Sequence, residues 1–466
     1  MKTLIITVFV LFILSGVVPS FAQQTDPGFT NAVTLSNISS DSASPNLITS
    51  SDGVFALWTE YKDGKSNVFF SKSTDGGNTF ASPINLSEPN IGQSDYAAFA
   101  VKGKDVYVVW QTSISGTASV FLTTSSDGGT SFARPVMISD KSKLAAFPQI
   151  AVSDTHVYST WLEKSDNNAT NVVFAKSDDN AKSFGTPLLL TQNLGNSGIP
   201  KLAATGNQVY LAWEDNSKGN FEIFLSKSDD SGVSFHPPVV VSGTSGQSGT
   251  PQIIVSGNNV YATWMDDTSK NYDILFSKST DGGKSFSTPV NVSKLHSDSG
   301  YPQFTVSGNN VYVVWTQTIT DLNYDVFFAK SSNNGDTFDT PVNLSNNNGG
   351  SGWPKIVSDG NIYVSWVDST PGRFDVFVTK SSDGGTTFDH YTDVSHSKNE
   401  SYDNKMSVLN NAVYLMWQEG NKGNHTIVFS KSTTFVPEFG PFASIALIIS
   451  ITALIAVSFR SNLKLH

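Results

Sequence analysis

Pro251-Gln-Ile-Ile-Val255, Val260-Tyr-Ala-Thr-Trp264, Ile274-Leu-Phe-Ser-Lys278, Ser279-Thr-Asp281-Gly-Gly283-Lys-Ser-Phe286 and Pro289-Val-Asn-Val-Ser293 follow one another in the middle of the chain. Four of these are short runs rich in β-branched and aromatic residues, bounded by Gly, Asn, Asp and Ser, with no helical period. The fifth, beginning at Ser279, is a turn. Four strands of about 5 to 6 residues with short loops account for roughly 50 residues.

Working outward, the tryptophan that ends the second run recurs as Trp58, Trp110, Trp161, Trp213, Trp264, Trp315, Trp366 and Trp417, at intervals of 51 or 52 residues. Only Trp353 stands outside the series. A fixed period of this size marks a repeat architecture. The eighth repeat has its second and third runs, Val413-Tyr-Leu-Met-Trp417 and Ile427-Val-Phe-Ser-Lys431, but no fourth. The missing piece stands at the other end of the chain, where Ala32-Val-Thr-Leu-Ser36 has the form of Pro83-Ile-Asn-Leu-Ser87. Pairing that first segment with the last repeat would remove the open sheet edges of a linear array. The expected fold class is therefore all-β: an eight-bladed β-propeller of four-stranded blades, closed by the N-terminal strand and followed by one C-terminal transmembrane helix. An open solenoid leaves the N-terminal segment unexplained. An immunoglobulin array needs about 100 residues per domain, twice the period.

The turn recurs as Ser73-Thr-Asp75-Gly-Gly77-Asn-Thr-Phe80, Ser125-Ser-Asp127-Gly-Gly129-Thr-Ser-Phe132 and Ser381-Ser-Asp383-Gly-Gly385-Thr-Thr-Phe388, with degenerate copies centred on Asp179, Asp230 and Asn333. Ser and Asp side chains bond the turn backbone, Gly takes positive φ, and the phenylalanine folds back as a plug. The motif resembles the Asp-box, or bacterial neuraminidase, repeat of sialidases and other propellers. The resemblance implies a sialidase-like fold over about 400 residues. It does not imply a sialidase active site, because that family holds its substrate carboxylate with three clustered arginines. This chain has only Arg134, Arg373 and Arg460. A planar guanidinium fork meets a carboxylate bidentately in a way that lysine does not reproduce.

Residues 1–22 read as a signal peptide: Lys2, an apolar run from Leu4 to Val18, then Ser20-Phe21-Ala22 before a mature start at Gln23. Residues 23–434 are the expected ectodomain, and 435–466 the expected tail. Within the tail, Pro441 to Phe459 carries no charge and is long enough to cross a bilayer. Arg460 and Lys464 follow it and mark a cytoplasmic side. Val436-Pro437-Glu438-Phe439-Gly440 before that span resembles the PEFG C-terminal sorting signal of archaeal surface proteins. An exported, membrane-anchored cell-surface protein is expected, monomeric, with seven N-x-S/T sequons that permit glycosylation. Residues 23–434 hold 39 acidic and 26 basic side chains. Such a surface repels phosphate backbones, so nucleic acid is excluded as a partner. The chain has no cysteine and hence no disulfide staples.

Two sets of side chains could carry function. Tyr96, Phe147, Tyr301, Trp353 and Tyr402 each precede a first strand, and Arg373 lies in a loop toward the same end. Rings there could stack on sugars or anchor a peptide, or could pack between blades. The second set is acidic. Asp215/Glu222, Asp266/Asp273 and Asp368/Asp375 open and close the loops between second and third strands. They could support loop backbone, hold Ca²⁺, or do acid–base work. No H-E-x-x-H, phosphate-binding loop or nucleophile elbow occurs. The expected function is noncatalytic binding of glycan, peptide or protein partners at the cell envelope. A glycoside hydrolase on a sialidase-like fold and a structural scaffold are the alternatives.

Overall fold

In the computed structural model, residues 28–433 are described except 89–91, 155, 193–194 and 321–322. They form thirty-two strands. In the fifth repeat these are Ser248–Ser256, Asn259–Asp266, Asp273–Ser279 and Val290–Asn291, antiparallel and in chain order. Apolar residues fill both faces of the second and third strands, so their runs read as continuous rather than alternating.

The fourth strand contributes only two paired residues per repeat, fewer than its sequence run suggests. Pro289 has no N–H to give. At the other end a side chain takes over the ladder: the Ile274 N–H donates to Ser293 Oγ at 3.1 Å. The same exchange joins Val68 to Ser87, Val326 to Ser345 and Val376 to Ser395. The hydroxyl that ends each fourth run, Ser in seven repeats and Thr191 in the third, is thus a ladder acceptor.

The eight periodic tryptophans are at most 1% exposed. Several stack on a third-strand phenylalanine, as Trp58 does on Phe69 and Trp366 on Phe377, with centroids 6.2 Å apart. Eight apolar clusters fill the spaces between consecutive repeats, and one joins the last to the first through Leu35, Trp58, Met416 and Phe429. The core therefore lies between sheets. The Ser-x-Asp turns reinforce these junctions. Ser73 Oγ accepts from Gly77 N, and Asp75 accepts from the backbone N–H groups of Asn78 and Thr79. The plug ring packs on the neighbouring repeat rather than its own: Phe132 on Phe70, Phe338 on Phe276 and Phe388 on Phe328, edge to face.

The N-terminal strand Val33–Thr34 pairs with Asn424–Ser432, Val33 opposite Phe429 and Thr34 opposite Val428. Ser36 Oγ accepts from Ile427 N at 2.8 Å. His425 bonds Asp41 with both its ring and its backbone N–H.

The expected fold class is corrected in two respects. Hydrogen bonding does not divide the strands into eight separate blades of one closed propeller: there are seven sheets, six of four strands and one of eight. The larger sheet arises where Ser66 pairs with Gln93 in parallel. The third strand of the first repeat starts at Lys65, directly after the tight turn at Asp63-Gly64, so its start lies beside the next repeat. A tight turn alone does not produce the bridge: Ser115-Gly116 makes one in the second repeat, and no strand pairing joins that repeat to the third. The second correction concerns the helix. The described residues contain none, and so none long and apolar enough to cross a membrane. The signal segment 1–22, the Val436–Gly440 motif and the expected transmembrane helix at 441–459 lie outside the described residues.

Candidate functional site

A register shift interrupts the first strand in seven repeats, for example between Gly300 and Gln303 and between Gly352 and Lys355. The bulged residue takes positive φ: Ser44, Tyr96, Phe147, Thr250, Tyr301, Trp353 and Asp403 lie between 44° and 55°. Bulky side chains rarely adopt this conformation, and holding one there costs about 1 to 3 kcal/mol. A bulge re-aims a side chain that the pleat would otherwise turn inward. Proline follows at 45, 148, 251, 302 and 354, where no ladder N–H is needed.

The backbone of the bulge is held by its neighbours. Thr250 N donates to Glu214 Oε2 at 2.8 Å, and Trp353 N to Thr316 Oγ1 at 3.2 Å. Glu214 and Thr316 each directly follow a periodic tryptophan of the preceding repeat. On the other side, Asn404 Nδ2 donates to the Trp353 carbonyl at 3.3 Å.

Tyr96, Tyr301 and Trp353 are about half exposed. The structure splits the aromatic set in two. Tyr96 and Phe147 meet edge to face at 4.5 Å. Farther round, Tyr301, Trp353, Phe374 and Tyr402 form a run of rings with successive centroids at 6.2, 6.4 and 5.4 Å. Tyr402 is not a bulge residue: it occupies the position of Gly352, and Asp403 takes the bulge. A cleft of about 430 Å³ opens at this run, lined by Tyr301, Tyr324, Trp353 and Phe374 with Thr316, Ser351 and Ser369; the buried Ser351 hydroxyl is taken by Asp368. No charged side chain lines it.

Tyr324 and Phe374 escaped the sequence reading, although they carry a signal. Phe221, Tyr272, Tyr324 and Phe374 stand immediately before Glu222, Asp273, Asp325 and Asp375, one aromatic per repeat in four consecutive repeats.

A second pocket of about 270 Å³ shares Tyr301 and Trp353 with the cleft and adds Ile199, Lys201, Glu214, Gln252 and Lys355. Burial lowers the Lys201 and Lys355 ammonium pKa values, that of Lys355 to about 8 with help from Lys405. Lys405 is ion-paired with Asp403.

The acids face each other across second and third strands: Asp215 opposite Glu222, Asp266 opposite Asp273, Asp368 opposite Asp375. Their oxygens are largely occupied by the protein. Asp215 accepts from Ser197 Oγ and Ser217 N. Asp368 accepts from Ser351 Oγ, Asn347 Nδ2, Trp366 Nε1 and Thr370 N. Asp273 accepts from Ser269 and Ser293. Burial works against the Asp266 carboxylate, but hydrogen bonds from Thr244, Thr268 and Ser248 hold its pKa below the ordinary value. Among the described residues no three His, Asp or Glu side chains converge as a metal would require.

Arg373 does not line the cleft. Its Nη2 pairs with Asp375 Oδ2 at 3.1 Å. Asp375 is fully buried, and burial, then the nearby Asp393 charge, raise its pKa to about 6 against hydrogen bonding from Ser395 and the Arg373 charge.

No protein-family model matches the chain, and no curated protein matches it. Solved structures of related shape include the Hadza microbial sialidase Hz136, at 15% identity and TM-score 0.41, covering 60% of this chain and 63% of that one. A protein of unknown function from Dyadobacter fermentans is 13% identical with TM-score 0.43, covering 76% and 98%. The polysaccharide lyase Uly1 is 10% identical with TM-score 0.48, covering 75% and 90%. This chain thus spans under two thirds of the sialidase's length.

Proposed function

We propose that this chain is an exported module that binds a glycan in the cleft of Tyr301, Tyr324, Trp353 and Phe374. The observation that carries the reading is the lining itself: four rings, with the part-exposed Thr316 and Ser369 beside them, and no charge. A pyranose offers one face of C–H groups and a rim of hydroxyls, and this combination complements both. The placement of Trp353 adds to it. A bulky ring held at φ 52° and 45% exposed adds little to the core, so its conformation serves the surface. Titration of the purified protein with neutral oligosaccharides tests the reading. Binding should quench tryptophan fluorescence, and Trp353→Ala should weaken it by about tenfold or more while the melting temperature stays near wild type. Undiminished binding by a folded Trp353→Ala protein removes the cleft from consideration.

A second reading, a glycan-cleaving enzyme, is favoured by one observation. Asp375 adjoins Phe374 in sequence, and its pKa near 6 suits a proton donor. Against it, glycoside hydrolysis uses two carboxyl groups flanking the scissile bond. The cleft lining offers none, and Asp375 is buried against Arg373 and Ser395. Turnover of a fluorogenic glycoside panel that disappears in Asp375→Asn would establish the enzyme.

A further inference from the structure

Lys201 and Lys355 occupy the same first-strand position in the fourth and seventh repeats, opposite the residue before the periodic tryptophan; the eighth repeat places Lys405 there and the others Asn46, Ala98, Gln149, Gln252 and Gln303. Their spacing of 154 residues is about three repeats, and both line the second pocket. Among the described residues neither ammonium has a hydrogen-bond or ion-pair partner. Several other partly buried lysines are paired: Lys405 with Asp403, Lys227 with Asp229, Lys176 with Asp178 and Lys278 with Asp336. Burial disfavours both charges and Lys201 opposes Lys355, with Glu214 offsetting the first and Asp403 part of the second, so an anion between the two ammonium groups would be stabilised.

The charges around the pocket are countable. Lys201 and Lys355 line it with Glu214, whose Oε2 is engaged by Thr250 N. The Lys405–Asp403 pair near Lys355 is internally neutral. One positive charge is left over, in a protein whose net charge is −11. The complement is a single negative charge.

We propose that this pocket takes the monoanionic group of an acidic saccharide, between Lys201 and Lys355, while the sugar ring or its neighbour lies on Trp353 and Tyr301. The inference rests on the glycan reading and adds the charge of the ligand. Tyr301 and Trp353 form the shared wall, so one ligand can present a ring to one side and an anion to the other. A carboxylate on a hexuronic acid and a sulfate monoester both fit this description. Either accepts hydrogen bonds from two ammonium groups that have no other acceptor.

The experiment titrates the full chain with three oligosaccharides of matched length, one neutral, one containing hexuronic acid and one carrying a sulfate monoester, at low and high salt. At least one acidic ligand should bind about tenfold tighter than the neutral one at low salt, and salt should erode the difference. Tighter binding of the uronate assigns a carboxylate, and tighter binding of the sulfated sugar assigns a sulfate ester. Lys201→Gln and Lys355→Gln should each abolish that preference, bringing the acidic and neutral affinities together. Lys355→Arg should retain most of it. Trp353→Ala should weaken all ligands together. Equal binding of neutral and acidic sugars by the wild-type protein overturns this inference and leaves the cleft intact. Binding of none of the three overturns the glycan reading. Should a Lys→Gln variant fail to fold, a sulfate titration monitored at lysine Cε by NMR decides: no shift at Lys201 or Lys355 overturns the anion site.

Discussion

Trp264 and Trp353 are the same side chain used in opposite ways. Trp264 is fully buried among Tyr210, Ala262 and Leu275, whereas Trp353 is 45% exposed at positive φ. Trp264→Ala should lower unfolding free energy by about 3 to 5 kcal/mol in urea titration, since it empties a junction between repeats. Trp353→Gly should leave stability unchanged or raise it by about 1 kcal/mol, because glycine accepts that backbone conformation without strain. The same variant should lose sugar binding. Asp375 offers a test of electrostatics. Its folded pKa of about 6 lies above the roughly 3.9 of a carboxyl in an unfolded chain. The folded protein therefore holds this proton more tightly. The stabilisation is complete below about pH 4 and is lost as pH rises through about 6. Wild type should lose about 2 kcal/mol from this group between pH 4 and 7, and Asp375→Asn should show a flatter profile. An identical slope in both proteins would show that Asp375 is not the source.

At the level of elements, the repeated turn is a joint between sheets. A Cβ at Gly335 would stand 2.1 Å from a ring atom of Phe276, with φ at 84°, whereas Gly64, at φ 73°, has nothing within 4 Å. Gly64→Ala should therefore cost about 1 kcal/mol, from backbone strain alone. Gly335→Ala should cost about 2 to 4 kcal/mol, since a packed neighbour must also give way. Paired thermal melts compare the two. These elements also show what a sequence can disclose. The strands and turns were legible because tryptophan and Ser-x-Asp recur with one period. The two-residue length of the fourth strands was not, because nothing in Pro289-Val-Asn-Val-Ser293 says that the serine hydroxyl replaces a backbone acceptor. The bulges were hidden for a related reason: a register shift is a property of two strands together, and Tyr402 and Asp403 look interchangeable until both are paired. The merged sheet was likewise unreadable, since it rests on a single bridge, Ser66 to Gln93, between neighbouring repeats.

Across the whole molecule, the first described segment is structurally part of the last repeat. Ser36→Ala would leave the buried Ile427 N–H without its acceptor, nearly four hundred residues away in the chain. A loss of about 1 to 3 kcal/mol is expected, read from equilibrium unfolding, with hydrogen exchange accelerated first in Asn424–Ser432. The candidate site was only partly legible at this scale. Trp353 declared itself by falling outside the tryptophan series, and Tyr301 by standing just ahead of an apolar run, although it lies within the first strand, at its bulge. Lys201 and Lys355 did not, since they become neighbours only when the fourth and seventh repeats face a common space. The acidic pairs were conspicuous in the sequence, but most of their oxygens turn to hydroxyls, an indole and loop amides.

Trp353 is fastened to three modules at once, through Thr316 behind it, its own strand, and Asn404 ahead. No single module owns the posture of that ring. Excising the seventh repeat, or grafting it into another scaffold, would carry the indole along but leave behind both of its moorings. Recognition here is a collective property of adjacency, so an evolutionary shuffle of these modules would have to move at least three in a block to move the affinity with them.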